Sequence, residues 1–168
     1  MADEVEFIEG SHADAEKIVK LIQQLEFETD TIQFDAAIHD YSVEQIGKNL
    51  DLIKESPTNF LLIAKYGDQP IGIVTLIETP NYEQRAELGV GVLQEYWHNG
   101  IATVLVDEAI YWASNFSWLT SIWLDVLESN QYAVHLYKKI GFKPKKSLID
   151  DQGRKIINME LSFNQPDE

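Results

Sequence analysis

One stretch of this sequence admits few structural solutions. Residues 86–92 read as a strand, residues 94–100 as a short polar turn ending in Gly100, and the residues after it as a helix. In that helix Ile101, Val104, Leu105, Ala109, Trp112, Ala113 and Phe116 recur at helical spacing. A strand that passes through a glycine turn into a helix start is a ready anion site. The free N–H groups of the first helical turn point out together, and the helix dipole favours negative charge there.

The rest of the chain can be organised around that unit. Residues 5–8 alternate like a first strand. Ser11 followed by Asp14 has the form of a capping box, and Ile18, Leu21, Ile22 and Leu25 form one helical face. Residues 26–41 read as irregular and acidic, with Glu26, Glu28, Asp30, Asp35 and Asp40. Ser42 with Gln45 caps a second helix whose inner face is Ile46, Leu50 and Ile53, and Pro57 closes it. Residues 60–64 and 71–77 are strands joined by a turn at Gly67 and Asp68, and Pro80 and Asn81 break the chain before residue 86. Short turns between apolar runs predict an antiparallel meander.

Residues 121–126 form another strand. Asn130 caps a short helix with Ala133, Val134, Tyr137 and Ile140 inward, and Gly141 ends it. An extended piece with Lys143 and Pro144 follows, and residues 156–161 make the last strand. The order βααβββαβαββ predicts an α+β fold with helices on both faces of one sheet. The expectation is a single domain over residues 1–163 and a polar tail at 164–168.

Composition narrows the chemistry. The net charge of -15, from 13 basic and 28 acidic side chains, argues against nucleic acid as partner. It favours cationic small molecules or peptides, or simply keeps the protein soluble. There is no cysteine, so disulfides and thiolate catalysis are excluded. With no signal-peptide pattern and no apolar run of spanning length, the expectation is the cytoplasm, away from membranes. Four scattered histidines make no metal site, and neither a phosphate-binding lysine loop nor a nucleophile elbow is present.

Two patches carry a family resemblance. The first is Val92-Leu93-Gln94-Glu95-Tyr96-Trp97-His98-Asn99-Gly100-Ile101-Ala102, and the second runs from Asn130 through Ala133 and Tyr137 to Gly141-Phe142. Together, in this order and on strand–helix junctions, they resemble the GNAT N-acetyltransferases, which move an acetyl group from acetyl-CoA to an amine. The Tyr-Trp-x-x-Gly form is similar to the branch with ribosomal-protein and polyamine acetyltransferases. The resemblance implies a mostly antiparallel, twisted sheet of about seven strands, with acetyl-CoA as co-substrate and no metal. A homodimer is common in that family.

The resemblance also assigns residues. Val90, Val92 and Leu93 would offer backbone to the pantetheine arm, where two central strands splay. His98, Asn99, Gly100, Ile101, Ala102 and Thr103 would hold the diphosphate, chiefly through backbone N–H groups. Trp97 stands where the family carries Arg or Gln and reads as packing, and His98 offers a positive charge only when protonated. Asn130 reads as a helix cap, with or without a cofactor contact. Tyr137 would protonate the departing sulfur, and the alternative is a buried aromatic. Glu87 is the candidate general base, with Glu83 and Glu78 as substitutes and a plain strand carboxylate as the alternative. His135 reads as surface, and Lys138 and Lys139 as solvated or as contacts to the 3′-phosphate. The acidic set, with Asp150 and Asp151, points to a cationic primary amine as acceptor. Two other readings compete: a non-catalytic acyl-CoA-binding module with this fold, and an acidic partner-binding domain without CoA.

Overall fold

The structure is a computed structural model and describes residues 4–29, 42–81 and 84–163. Asp30, Asp35, Asp40, Glu83 and the tail at 164–168 lie outside the described residues. The elements are β1 (Val5–Glu9), α1 (Ala15–Glu28), α2 (Val43–Glu55), β2 (Phe60–Tyr66), β3 (Gln69–Glu78), β4 (Arg85–Val92), α3 (Ile101–Phe116), β5 (Ser121–Leu127), α4 (Gln131–Ile140), β6 (Lys143–Ile149) and β7 (Lys155–Ser162). Single-turn 3-10 pieces at His12–Asp14 and Gln94–Tyr96 precede α1 and α3. The order is the one the sequence predicts.

All seven strands join one sheet in the order β1-β2-β3-β4-β5-β7-β6. Every neighbouring pair is antiparallel except β4 and β5. Alternation along the strands sends side chains to two faces. Leu61, Ile63 and Ile73 pack with Ile18, Leu21, Ile22 and Leu25 of α1 and with Ile46 and Leu50 of α2. Leu62, Val74, Leu76, Leu88, Ile122 and Leu124 pack with Leu105, Val106 and Ala109 of α3 and Tyr137 of α4. Leu105 and Leu25 are fully buried, so truncating either to alanine costs about 2–5 kcal/mol.

The caps follow the sequence. Ser42 Oγ accepts from Gln45 N–H at 3.2 Å. Asp14 Oδ2 accepts from the Ser11 amide at 3.0 Å and its hydroxyl at 3.1 Å, while Lys65 Nζ donates to Oδ1 at 2.9 Å. Burial pushes the Asp14 carboxyl up, but the Lys65 and Ser11 hydrogen bonds prevail and hold it below the usual carboxylate range.

Two expectations need correction. The helix expected to end before Glu26 continues through Glu28, because nothing in residues 26–28 breaks it. Val104 and Phe116, counted among the apolar positions at helical spacing in α3, are exposed at 38% and 66% and stand outside its buried stripe. Phe116 ends the helix and leans on Tyr111 at 5.8 Å, while Leu119 beyond it is buried in the core.

The β4–β5 pair positions everything that follows. Its parallel ladder holds only Arg85↔Ser121, Ala86↔Ile122 and Glu87↔Trp123. From Leu88 onward β4 pairs only with β3, so the sheet opens into a wedge.

Candidate active site

The wedge exposes the polar edge of β4. Leu93 N–H donates to Ile71 O at 2.8 Å, so this residue turns its backbone groups toward β3. By strand alternation, Val90 and Val92 turn theirs into the gap. Trp97 Nε1 donates to Val92 O at 2.7 Å and closes that carbonyl, leaving the Val92 amide and both Val90 groups facing the opening. The expectation for Leu93 is thereby corrected, because its amide is engaged within the sheet and its carbonyl accepts from Tyr96 N–H at 2.8 Å.

The first turn of α3 meets the same opening. Gly100 precedes it at φ +75°, and His98 also takes a left-handed conformation, at φ +68°. Asn99 donates its side-chain amide to Tyr96 O at 3.0 Å and Trp97 O at 3.1 Å, which locks the turn from behind. The N-cap residue Gly100 supplies no side-chain cap to α3. Its first α-helical hydrogen bond runs from Val104 N–H to Gly100 O at 3.1 Å, so the amides of Ile101, Ala102 and Thr103 have no acceptor within the helix.

The start of α4 faces them. Asn130 Oδ1 accepts from Ala133 N–H at 3.2 Å, as expected of a cap. Asn130, Ala133 and Tyr137 then lie along one helical face. Gly141, at φ +126°, ends the helix with its N–H donating to Tyr137 O at 3.1 Å. The Tyr137 ring stands edge-on to Phe142 at 5.7 Å, and burial pushes its phenol up to about 12. Among the described residues its hydroxyl makes no hydrogen bond, yet it is not sealed from the cleft.

These parts enclose a cavity of about 380 Å³. Of the predicted residues, Val90, Val92, His98, Gly100, Ile101, Ala102, Thr103, Asn130 and Tyr137 line it, and Leu93, Asn99 and Glu87 do not. No lysine or arginine lines it. Sequence reasoning missed Tyr132 and Leu136, which flank the α4 face already identified, and Tyr96, which lies inside the first patch. It also missed Thr29, for which no local signal exists, since the end of α1 reaches the cleft only through the fold. Glu28 Oε1 fixes that end by accepting from Gln94 N–H at 2.8 Å. The space, the open strand edge and the bare helix start suit a long, polar, anionic ligand such as a coenzyme A thioester.

Glu87 lies on the other face of the sheet, because Ala86 and Leu88 on either side of it turn into the α3 core. It is exposed and forms the last rung before the wedge, in a row Ile77–Glu87–Trp123–Glu160 across four strands. Trp123 is held by its Nε1–H donating to Thr79 Oγ1 at 2.7 Å, and the Arg85 guanidinium sits 5.9 Å from its ring. Arg85 is itself anchored on Glu160 Oε2 at 2.7 Å, and Asn158 Nδ2 donates to Asp125 Oδ1 at 2.8 Å in the next row. The sequence reading did not single out this platform.

Other candidates have structural employment. Glu78 accepts from Thr58 Oγ1 at 3.3 Å and Gln84 N–H at 3.1 Å. Asp150 accepts from the amides of Gln152 and Arg154 and from Arg154 Nε at 2.7 Å, which closes the β6–β7 turn. Those contacts, led by the Arg154 amide, hold its carboxyl below the usual range. His135, Lys138 and Lys139 are exposed. Among the described residues no group of histidines and carboxylates is arranged to hold a metal, and no helix is long and apolar enough to cross a membrane.

Comparison with known proteins agrees with this geometry. Residues 19–142 match the family described as acetyltransferase (GNAT). The spermidine N(1)-acetyltransferase of Vibrio cholerae is 32% identical over 81 residues, 48% of this chain and 47% of that protein. The chain thus spans about half the length of these curated relatives. A GNAT acetyltransferase from Streptococcus pneumoniae superposes with a TM-score of 0.85 at 26% identity, over 95% of this chain and 100% of that one. A protein from Salmonella typhimurium, described as a putative acetyltransferase with its cofactor acetyl-CoA, superposes at 0.79 with 12% identity, over 97% and 96%.

Proposed function

This chain belongs to the acetyltransferase (GNAT) family, and we propose that it moves an acetyl group from acetyl-CoA directly to the primary amine of a cationic small molecule or peptide. The observation that carries the reading is the convergence on one cleft of three features. They are the open edge of β4, the uncapped first turn of α3 and the Tyr137 hydroxyl.

Acetyl-CoA supplies the acetyl group as a thioester. Val90 and Val92 bind its pantetheine arm as a strand would, and the amides of Ile101, Ala102 and Thr103 take the diphosphate. Tyr137 donates its O–H to the sulfur as the C–S bond breaks. A phenol near 12 is protonated at every working pH. It is also a reluctant acid: full transfer to a thiolate of ordinary basicity is uphill by roughly 5 kcal/mol. Tyr137 therefore works mainly as a hydrogen-bond donor to developing charge. On the opposite face Glu87 takes the proton that the acceptor ammonium must lose before its nitrogen attacks.

The acceptor reading is supported by the net charge of -15, by Glu87 and Asp125 on the same sheet face as Trp123, and by the spermidine-acetylating relatives.

The test is a panel of amines with thiol detection, using wild type beside Tyr137→Phe. Thiol release that needs an amine, and prefers polycationic ones, supports the proposal. Thermal stabilisation by acetyl-CoA without thiol release for any amine replaces it with a non-catalytic acyl-CoA-binding module.

A further inference from the structure

The charge of this chain is strongly segregated. Seven of its 13 basic residues fall between residues 138 and 155, alongside only Asp150 and Asp151 of its 28 acidic ones. Within that segment β6 is, among the described residues, one free edge of the sheet, and it carries Lys143, Lys145 and Lys146 with no acid. The other free edge is β1, which carries Glu6 and Glu9, with Glu4 just before it, and no base.

From these two edges we infer that the protein associates head to tail, β6 of one copy pairing with β1 of the next and continuing the sheet. An edge strand leaves a row of N–H and C=O groups unpaired, so each end is a template for another strand. Strand direction suits the join. Following the pairings across the sheet, β1 and β6 run in opposite directions, so a copy set alongside in the same orientation meets it antiparallel. The faces match as well. Lys143 and Lys146 stand opposite Glu160 and Asn158, on the side of the sheet away from the Met159 core, and Glu6 lies on that same side.

Length and burial agree. Pro144 has no N–H and Lys145 bulges out of register with β7, which leaves four regularly paired residues, 146–149, against the five of β1. All of β6 is exposed, and Leu148 and Ile149 are 39% and 72% accessible, an apolar exposure that the single copy does not explain. Charge selects the arrangement. Lysines repel lysines in a β6–β6 pair and glutamates repel glutamates in a β1–β1 pair, which leaves the unlike pair. A contact between two different surfaces closes into a ring or runs on as a filament.

The experiment is sedimentation velocity over a concentration series at several ionic strengths. The net charge of -15 repels copies over long range and is screened first. Association should therefore peak near about 0.1 M salt and fall by 1 M. Lys143→Glu with Lys145→Glu and Lys146→Glu should lower the association constant by about tenfold or more, and Glu6→Lys with Glu9→Lys should do the same. An equimolar mixture of the two variants should restore association with the copies alternating, since both edges of each variant are then complementary to the edges of the other. Amide exchange should slow at β1 and β6 in the concentrated wild type. A wild type that stays monomeric throughout, or an assembly that survives both reversals, overturns the inference. Because acetyl transfer is assayed separately, neither result bears on the proposed activity.

Discussion

The two helices that open onto the cleft begin in contrasting ways. The helix α4 starts with Asn130, whose side chain accepts from Ala133 N–H, so its end is closed by its own residues. The helix α3 starts with Gly100 in a left-handed conformation and has no side-chain cap. A capping serine or aspartate takes an extended backbone, which the left-handed conformation at Gly100 does not offer, so no side chain at this position occupies the first amides. The difference teaches where the two helix starts diverge: α3 leaves its first amides open, as the proposed diphosphate site requires, and α4 closes its own end ahead of the Tyr137 face.

The largest effect should come from the sealed side. Tyr137→Phe keeps the ring against Phe142 but removes the only atom proposed to reach the sulfur. Its kcat should fall about 10²-fold or more with the acetyl-CoA KM little changed. A kcat within about threefold of wild type would reduce Tyr137 to packing.

Alkaline unfolding tests the same burial. The folded phenol lies near 12 against about 10 in an unfolded chain. The raised value means a contribution fully present below pH 10 and lost as pH rises through 12. The loss should approach about 3 kcal/mol in urea unfolding, and Tyr137→Phe should remove that slope.

On the bare side, Gly100→Asp places a carboxylate where the diphosphate is proposed to sit. Acetyl-CoA affinity should drop about tenfold by titration calorimetry, and the left-handed backbone at this position should cost a further ~1 kcal/mol of stability. The contrast sharpens with Asn130→Ala, which should cost about 1 kcal/mol of stability, read by denaturation, and shift affinity less than Gly100→Asp does. The smallest effect concerns acceptor charge. Asp151→Asn should raise acceptor KM by about twofold or less and leave acetyl-CoA KM unchanged, since the exposed Asp151 acts only through a screened field.

Much of this was legible in the residues. Helical spacing gave Ile18 to Leu25 and Leu105 to Ala113 their inward faces, and short turns gave the β2–β3–β4 meander, because these depend on neighbours in sequence. The cleft was legible where both patches lie on strand–helix junctions. What escaped reading depends on distance in sequence. Leu93 is engaged with Ile71, Glu28 with Gln94, and Trp123 lies between Glu87 and Glu160 only because of strand register. Asp150 looked like a free acid, yet the turn that Gly153 permits at φ +79° folds Arg154 back onto it.

The short parallel ladder between β4 and β5 has a mechanical meaning. Within the sheet, two sub-sheets of four and three strands are stitched by three residue pairs. A ligand lying in the wedge as an extra strand acts as a splint across that seam. Binding and release of such a ligand would stiffen and slacken the same joint, and a separation of the sub-sheets would start at the mouth of the seam, where no stitch remains.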